Sequence, residues 1–182
     1  SLALDLPNGT YFERFGVGQE VLNKVLAAAL SMGADDCDLF FEHRQSTSVA
    51  LTDGKVNRAS TGVDLGLGVR ARNGDAIGYS YTEDLSLEAM LSAARTAAGI
   101  AAGGQTKTVV APLRALELPN YYPIEHRWEQ VEMAQRLPLL RKWEEGAFAA
   151  DSRIQKVQAF LMDSERTILV VRPDGRVAQD YQ

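Results

Sequence analysis

His43, His126 and Cys37 are the residues of this 182-residue chain most suited to chemistry, together with the adjacent carboxylates Asp35-Asp36, Glu83-Asp84 and Glu144-Glu145. Each histidine sits in the tripeptide Glu-His-Arg, at 42–44 and at 125–127. A histidine between a carboxylate and a guanidinium can tune a proton-transfer group. Neither has a nucleophile or a metal partner at suitable spacing, so both read as surface residues in mixed-charge patches. The chain has no His-Glu-x-x-His, no Gly-x-x-x-x-Gly-Lys-Ser/Thr and no Gly-x-Ser-x-Gly. A single cysteine cannot close an intrachain disulfide, and a thiolate zinc site needs several. Cys37 therefore reads as a packing residue of a half-buried strand, in a reducing compartment. Neighbouring carboxylates point to opposite faces of a strand and diverge by about 100° on a helix. Solvated faces explain all three pairs.

The elements that must position these residues follow from periodicity. Apolar residues at 17, 21, 22, 25, 26, 29 and 30 predict a helix stopped by Gly33, behind a lead-in in which Pro7-Asn8-Gly9 turns and Tyr11, Phe12 and Phe15 dock. Gly16-Val17-Gly18 follows no strand and reads as a helix entry, not a nucleotide loop. The period then becomes two: Cys37, Leu39, Phe41 and His43 share one face of a strand at 37–44 that continues from Ser46 to Leu51. Asp53-Gly54 predicts a type I′ hairpin turn, which needs φ > 0 at both positions. The return strand covers Lys55–Ser60, followed by alternation from Val63 to Ala71, a turn at Asn73-Gly74, and a strand bearing Ile77, Tyr79 and Tyr81. This is an antiparallel meander with one apolar face, which a helix must cover. Gly62, Gly66 and Gly68 read as places for a bulge or close packing, with room for a ligand as the alternative.

Ser86 opens a second helix with a small alanine face, ending in Gly103-Gly104. Three prolines, Pro112, Pro119 and Pro123, with Tyr121-Tyr122 mark a linker. A third helix fits Trp128–Ala150, with Trp128, Val131, Leu139, Leu140, Trp143 and Phe148 on its apolar side and Pro138 kinking or splitting it. Two strands, Ile154–Met162 and Thr167–Val171, are expected around a turn at Asp163–Arg166, and Pro173-Asp174-Gly175 turns the chain toward another strand. The fold class is thus α+β: an antiparallel or mixed sheet with helices packed on one face, followed by a smaller helix-strand portion. The expected organisation is a domain at 1–104, a linker at 105–125, and a region at 126–182 that reads as the start of something longer. The start, Ser1-Leu2-Ala3, reads as processed or engineered.

Composition narrows the class. With 46% apolar and 24% charged residues the chain is of ordinary globular make-up. Its apolar runs, Val25–Leu30 and Ala97–Ala102, fall far short of the ~18 residues of a membrane span. A net charge of −5 argues against nucleic-acid binding.

The middle of the chain resembles a known family. Gly33-Ala34-Asp35-Asp36-Cys37-Asp38-Leu39-Phe40-Phe41-Glu42 is similar to the Gly-Ala-x-x-Ala-Asp-Leu-Phe-x-Glu segment of TldD-type proteins. Asp53-Gly54-Lys55-Val56 resembles their hairpin turn. Gly62-Val63-Asp64-Leu65-Gly66-Leu67-Gly68-Val69-Arg70-Ala71 resembles the strand after it, followed by Gly74, Gly78-Tyr79-Ser80-Tyr81 and a helix. These are the TldD/PmbA zinc metallopeptidases, also labelled modulators of DNA gyrase. The resemblance covers residues 17–102 well and 150–180 more loosely.

In that family zinc is held by a His-Glu-x-x-x-His helix and a later cysteine in the C-terminal part. The Glu would serve as general base for a zinc-bound water. No residue here matches that set, so the resemblance implies no cofactor in this chain and zinc in a C-terminal part outside it. It implies an N-terminal domain without catalytic residues, belonging to a cytoplasmic metallopeptidase that works as a homodimer or paralogue heterodimer on small or unfolded peptides. The domain would wall the substrate tunnel or contact the partner subunit. Thr52, Asp53, Lys55 and Val56 on the polar hairpin are the candidate peptide or subunit contact, a simple solvent-facing hairpin being the equal alternative. The other function class is a protein-interaction module, a gyrase-modulator-like regulator without peptidase activity.

Overall fold

The computed structural model describes residues 9–102, 110–119 and 123–182. Its secondary structure is α1 (Gln19–Ala29), β1 (Asp36–Thr52), β2 (Lys55–Asn73), β3 (Ala76–Thr82), α2 (Leu87–Ala101), β4 (Arg114–Ala115), α3 (Met133–Ala150), β5 (Gln158–Val171) and β6 (Arg176–Tyr181), with short 3-10 helices at Tyr11–Phe15 and Trp128–Gln130. The strands make one mixed sheet in the order β3-β2-β1-β5-β6-β4. β3 runs antiparallel to β2 and β6 antiparallel to β5, whereas β4 lies parallel to β6. The α+β class stands. The last strands, for which the sequence offers no obvious partner, join the same sheet because β5 lies next to β1.

The chain forms two compact units. The first comprises the chain up to His43, the stretch starting at Asp64 and the segment Thr167–Gln182; the second comprises Arg44–Val63 and the stretch ending at Arg166.

In the first unit the alternation of β1 places Cys37, Leu39, Phe41 and His43 on the face covered by helices, with Leu67, Val69 and Ala71 of β2 beside them. Helix α1 contributes Leu22, Val25, Leu26 and Ala29 to this core. Helix α2 starts at Ser86, whose Oγ accepts the Ala89 amide at 3.3 Å, and it packs through Met90, Ala93, Ala94, Ala97 and Ala101. Small residues let it ride directly on β3, where Gly78 faces the backbone at Ala97 and Ala101. The lead-in is docked as expected: Tyr11 and Phe12 are buried, and the Tyr11 amide donates to Gln179 Oε1 at 2.8 Å. Pro7 and Asn8 of the expected turn, Gly103-Gly104 of the expected helix stop and Tyr121-Tyr122 of the linker lie outside the described residues.

In the second unit Leu140 of α3 packs on Val49, Leu51 and Ala159. Here the structure differs from the sequence pattern in three ways. The first concerns the helix: α3 runs unbroken through Pro138, which sits in its second turn and does not split it. Its packed stripe is Arg136, Leu140 and Glu144, so Leu139, Trp143 and Phe148 are exposed instead of buried. The third is that Asp163–Arg166 is no turn: β5 is one strand through it. Asp163 and Glu165 are buried strand residues, paired with Arg136 and Arg127 respectively. A run of charged residues reads as a turn only when water is assumed to solvate it. Here arginines from another segment do so.

Candidate functional site

The face of the first unit's sheet away from α1 and α2 is set by the even residues of β1 and β2 and the odd residues of β3. Asp38 contacts Arg70, and in the second unit Ser46 approaches Gly62 while Ser48 bonds Ser60 at 2.7 Å. The numbers rise on one strand as they fall on the other, so β1 and β2 are antiparallel. On this outer face Asp36, Asp38, Arg70, Arg72, Ile77 and Arg172 line, with Cys37, a cavity of about 280 Å³. Its charges are mutually engaged. Arg70 Nε donates to Asp38 Oδ2 at 2.8 Å and Arg172 Nη2 to Asp36 Oδ2 at 2.6 Å. Arg72 lies 3.8 Å from Asp35 and 3.7 Å from Asp36. Asp35 also accepts the Gly74 amide at 3.0 Å, which holds the β2–β3 turn. Asp35 and Asp36, read from sequence as solvated, are bound instead by Arg72 from β2, and Asp36 by Arg172 as well.

Beyond Ile77 the same face carries Tyr79 and Tyr81, 61% and 51% exposed. Each reaches diagonally across β2. A methyl group on Gly68 would lie 2.8 Å from Tyr79 Oη and 3.4 Å from its Cζ, and one on Gly66 would lie 2.6 Å from Tyr81 Cζ. The two glycines thus make a bed for the rings. Close packing, the sequence reading of Gly66 and Gly68, is what they serve, and the register pairs Gly68 with Tyr81 and Arg70 with Tyr79. At Gly62 the neighbour is the Ser46 hydroxyl, 2.9 Å from where a Cβ would sit.

Cys37 is 2% exposed. Burial, helped by the charges of Asp36 and Asp38 and opposed by Arg172, pushes its thiol up to about 12. The thiolate is what alkylates or binds metal, so this sulfur is inert as a nucleophile and a poor ligand. At pH 8 the native chain should react with iodoacetamide about a thousandfold more slowly than the unfolded chain, the ratio of thiolate fractions at pKa 12 and 9. Labelling followed by mass spectrometry measures it, and comparable rates in the two states would show the sulfur accessible. Because folding holds the thiol protonated, its contribution to stability is complete below about pH 9 and is lost as pH climbs through about 12.

His43 is not a surface residue. It is 7% exposed, its Nδ1 lies 2.7 Å from Tyr11 Oη, and its ring stacks edge-on against Phe15. The alternation that carries Cys37 inward carries His43 inward too, and the Tyr11 hydroxyl provides the hydrogen-bonding partner that burial requires. His126 is exposed, as the sequence indicates.

In the second unit Asp53 and Gly54 have φ of 51° and 73°, the two positive angles the hairpin turn demands. The Gly54 amide donates to both carboxylate oxygens of Glu144 at 2.9 Å, tying the turn to α3. Glu144 is therefore buried, which adjacency to Glu145 concealed. Of the four candidate contact residues, Asp53, Lys55 and Val56 are exposed, Val56 at 44%, while Thr52 is half-buried and accepts from Asn57 Nδ2 at 2.8 Å. β3 pairs with β2 only from Leu67 to Asn73. Among the described residues, Lys55–Asp64 therefore has β1 on one side, no strand on the other, and exposed side chains on both faces.

Among the described residues no group of three or more His, Cys, Asp or Glu could hold a metal ion. The residues present do not fit zinc: the thiol is held protonated and the buried imidazole is engaged with Tyr11. No helix among the described residues is long and apolar enough to cross a membrane.

Residues 37–101 match a family model described as PmbA/TldA metallopeptidase domain 1. The chain is 30% identical over 151 residues to a metalloprotease TldD homologue of Haemophilus influenzae, covering 81% of this chain and 31% of that protein. A TldD homologue of Buchnera aphidicola subsp. Schizaphis graminum is also 30% identical, over 80% of this chain and 30% of its own length. The chain thus spans about a third of these relatives. Its fold is similar to that of a DNA gyrase modulator from Thermotoga maritima, with a TM-score of 0.66 and 16% identity over 90% of this chain and 37% of that one. TldE from Thermococcus kodakarensis gives a TM-score of 0.64 and 14% identity over 88% and 36%.

Proposed function

With domain 1 of the PmbA/TldA metallopeptidase family present at residues 37–101, we propose that this chain is the non-catalytic front part of a TldD-like metallopeptidase acting on small or unfolded peptides in the cytoplasm. The observation that carries the reading is that family match, together with a domain whose thiol and buried imidazole are unsuited to metal. Zinc, on this reading, is bound by a part of the protein outside this chain, and no catalytic step falls to the residues described. Their work is to exclude bulky folded substrates and to contact an extended peptide or a partner subunit, identical or paralogous. The two-faced, one-sided stretch Lys55–Asp64 favours that role, because unpaired backbone groups on a strand edge can pair with an added strand. Glu144 holds the turn so that Thr52, Asp53, Lys55 and Val56 are presented in one geometry.

The test uses the 182-residue chain beside the full-length protein. The chain alone should cleave no unfolded peptide, and the full-length protein should cleave it in a chelator-sensitive way. Val56→Pro in the full-length protein removes one backbone amide from the exposed strand and should lower dimerisation or peptide cleavage at least about tenfold at unchanged zinc content. Chelator-sensitive turnover by the chain alone would defeat the non-catalytic assignment. Full activity and assembly of Val56→Pro at normal stability would defeat the contact role.

A further inference from the structure

The tyrosine face of the first unit has features that packing does not use. Tyr79 and Tyr81 are propped on the glycine backbone of β2 while each residue stays more than half exposed. Toward the Ile77 end of this face, Arg70, Arg72 and Arg172 are matched by Asp35, Asp36 and Asp38. Around Tyr81 carboxylates gather: Glu83, Glu42 and Asp64 all lie near enough, after burial itself, to raise its phenol. The cations of this face are Arg70, paired with Tyr79 but bonded to Asp38, and exposed Arg44, which alternation places beside Asp64. By alternation Glu42 and Asp64 stand on the outer face with Tyr81, and Glu83 follows the end of β3 on the same side.

We propose that this face, Tyr79 and Tyr81 over Gly66 and Gly68 with Glu42, Asp64 and Glu83 around them, docks an arginine- or lysine-bearing polypeptide segment. An open tyrosine ring attracts a cation through its negative π face, and a guanidinium stacks on it as well. Carboxylates beside the ring add Coulomb attraction and reject acidic partners. Tyrosine is also a preferred anchor of interfaces, because it brings large area with little side-chain freedom to lose. The glycines complete the design: any larger residue at 66 or 68 would displace the rings. Docking here requires binding only, so it stands or falls apart from the peptidase reading.

Two fluorescein-labelled octapeptides serve as probes, one alternating Arg and Ala, the other Glu and Ala, titrated with the chain at about 50 mM salt and read by anisotropy. The basic peptide should bind at least about tenfold more tightly than the acidic one and weaken as salt rises. Tyr81→Ala should weaken it about tenfold, and Tyr81→Phe, which keeps the π face, less than threefold. Since truncating Tyr81 uncovers Gly66 and could loosen the sheet, the double change Asp64→Asn with Glu83→Gln is the second arm. It leaves packing intact and should weaken binding about fivefold. A matched change of exposed Glu88 and Glu117 to Gln should have no effect. Equal binding of the acidic peptide, no binding of the basic one up to 1 mM, or equal losses from the matched control would overturn the proposal.

Discussion

Gly78→Ala should destabilise the first unit by about 3 kcal/mol, at the upper end of what overpacking costs. Its backbone angles are ordinary, so the reason is space. A methyl group on Gly78 would overlap the Ala97 carbonyl oxygen of α2 and stand 2.9 Å from the Ala101 amide nitrogen. Backbone cannot turn aside as a side chain can, so the helix must lift off β3 and open gaps along its alanine stripe. Gly99→Ala in the same helix is the contrast. Its new methyl would meet only Met32 Sδ at 3.7 Å, and removing glycine's backbone freedom should stabilise the chain by about 0.5–1 kcal/mol. Urea unfolding compares the three proteins, with the midpoint moving and the slope unchanged. A Gly78→Ala variant within 1 kcal/mol of the parent would mean that α2 is not seated on β3 in solution.

Asp163→Ala in the second unit should cost about 3–5 kcal/mol, because it strands the Arg136 guanidinium in the interior. Arg136 Nη1 lies 3.0 Å from Asp163 Oδ2, and both side chains are buried. Arg136 also donates to the Trp128 carbonyl at 3.1 Å and lies over the Trp128 ring. Removing the other partner, as in Arg136→Met, leaves a carboxylate whose pKa burial already raises against the lowering effect of Arg136. A group raised in the folded state contributes stability below its unfolded value and loses it as pH rises through the folded one. The penalty of Arg136→Met should accordingly be largest near neutral pH and shrink toward pH 4. The double change Arg136→Met with Asp163→Leu should restore stability to about the parent level, since both desolvation costs vanish together. A double variant as unstable as Asp163→Ala would show the pair to be a net source of stability.

The two variants probe the chain at its most and least legible regions. Gly78 lies in the segment where alternation, turn residues and family motifs all agree: β1, β2, β3 and α2 follow from them, as does the type I′ turn at Asp53-Gly54. Even the burial of His43 was implicit in its place on the face of Cys37, Leu39 and Phe41. The neighbouring Glu42 and Arg44 suggest a wet surface for it, whereas on a strand neighbours point the other way. Asp163 lies where local signals mislead. Asp163–Arg166 has the composition of a turn, and Leu139, Trp143 and Phe148 have that of a buried helix face.

What the sequence determined by itself is the class of fold, the order of its front elements, the absence of the family's zinc motif and the kinship with TldD-type proteins. All of these rest on residues close together in the chain, where spacing fixes which face a side chain takes. Tertiary structure alone decided that β5 lies beside β1, that Glu144 holds the Gly54 amide, that Arg136 and Arg127 make Asp163 and Glu165 interior residues, and that two tyrosines lie over two glycines. Each of these joins groups from separate elements, and burying a charge or a bare backbone becomes favourable only once its distant partner is in place.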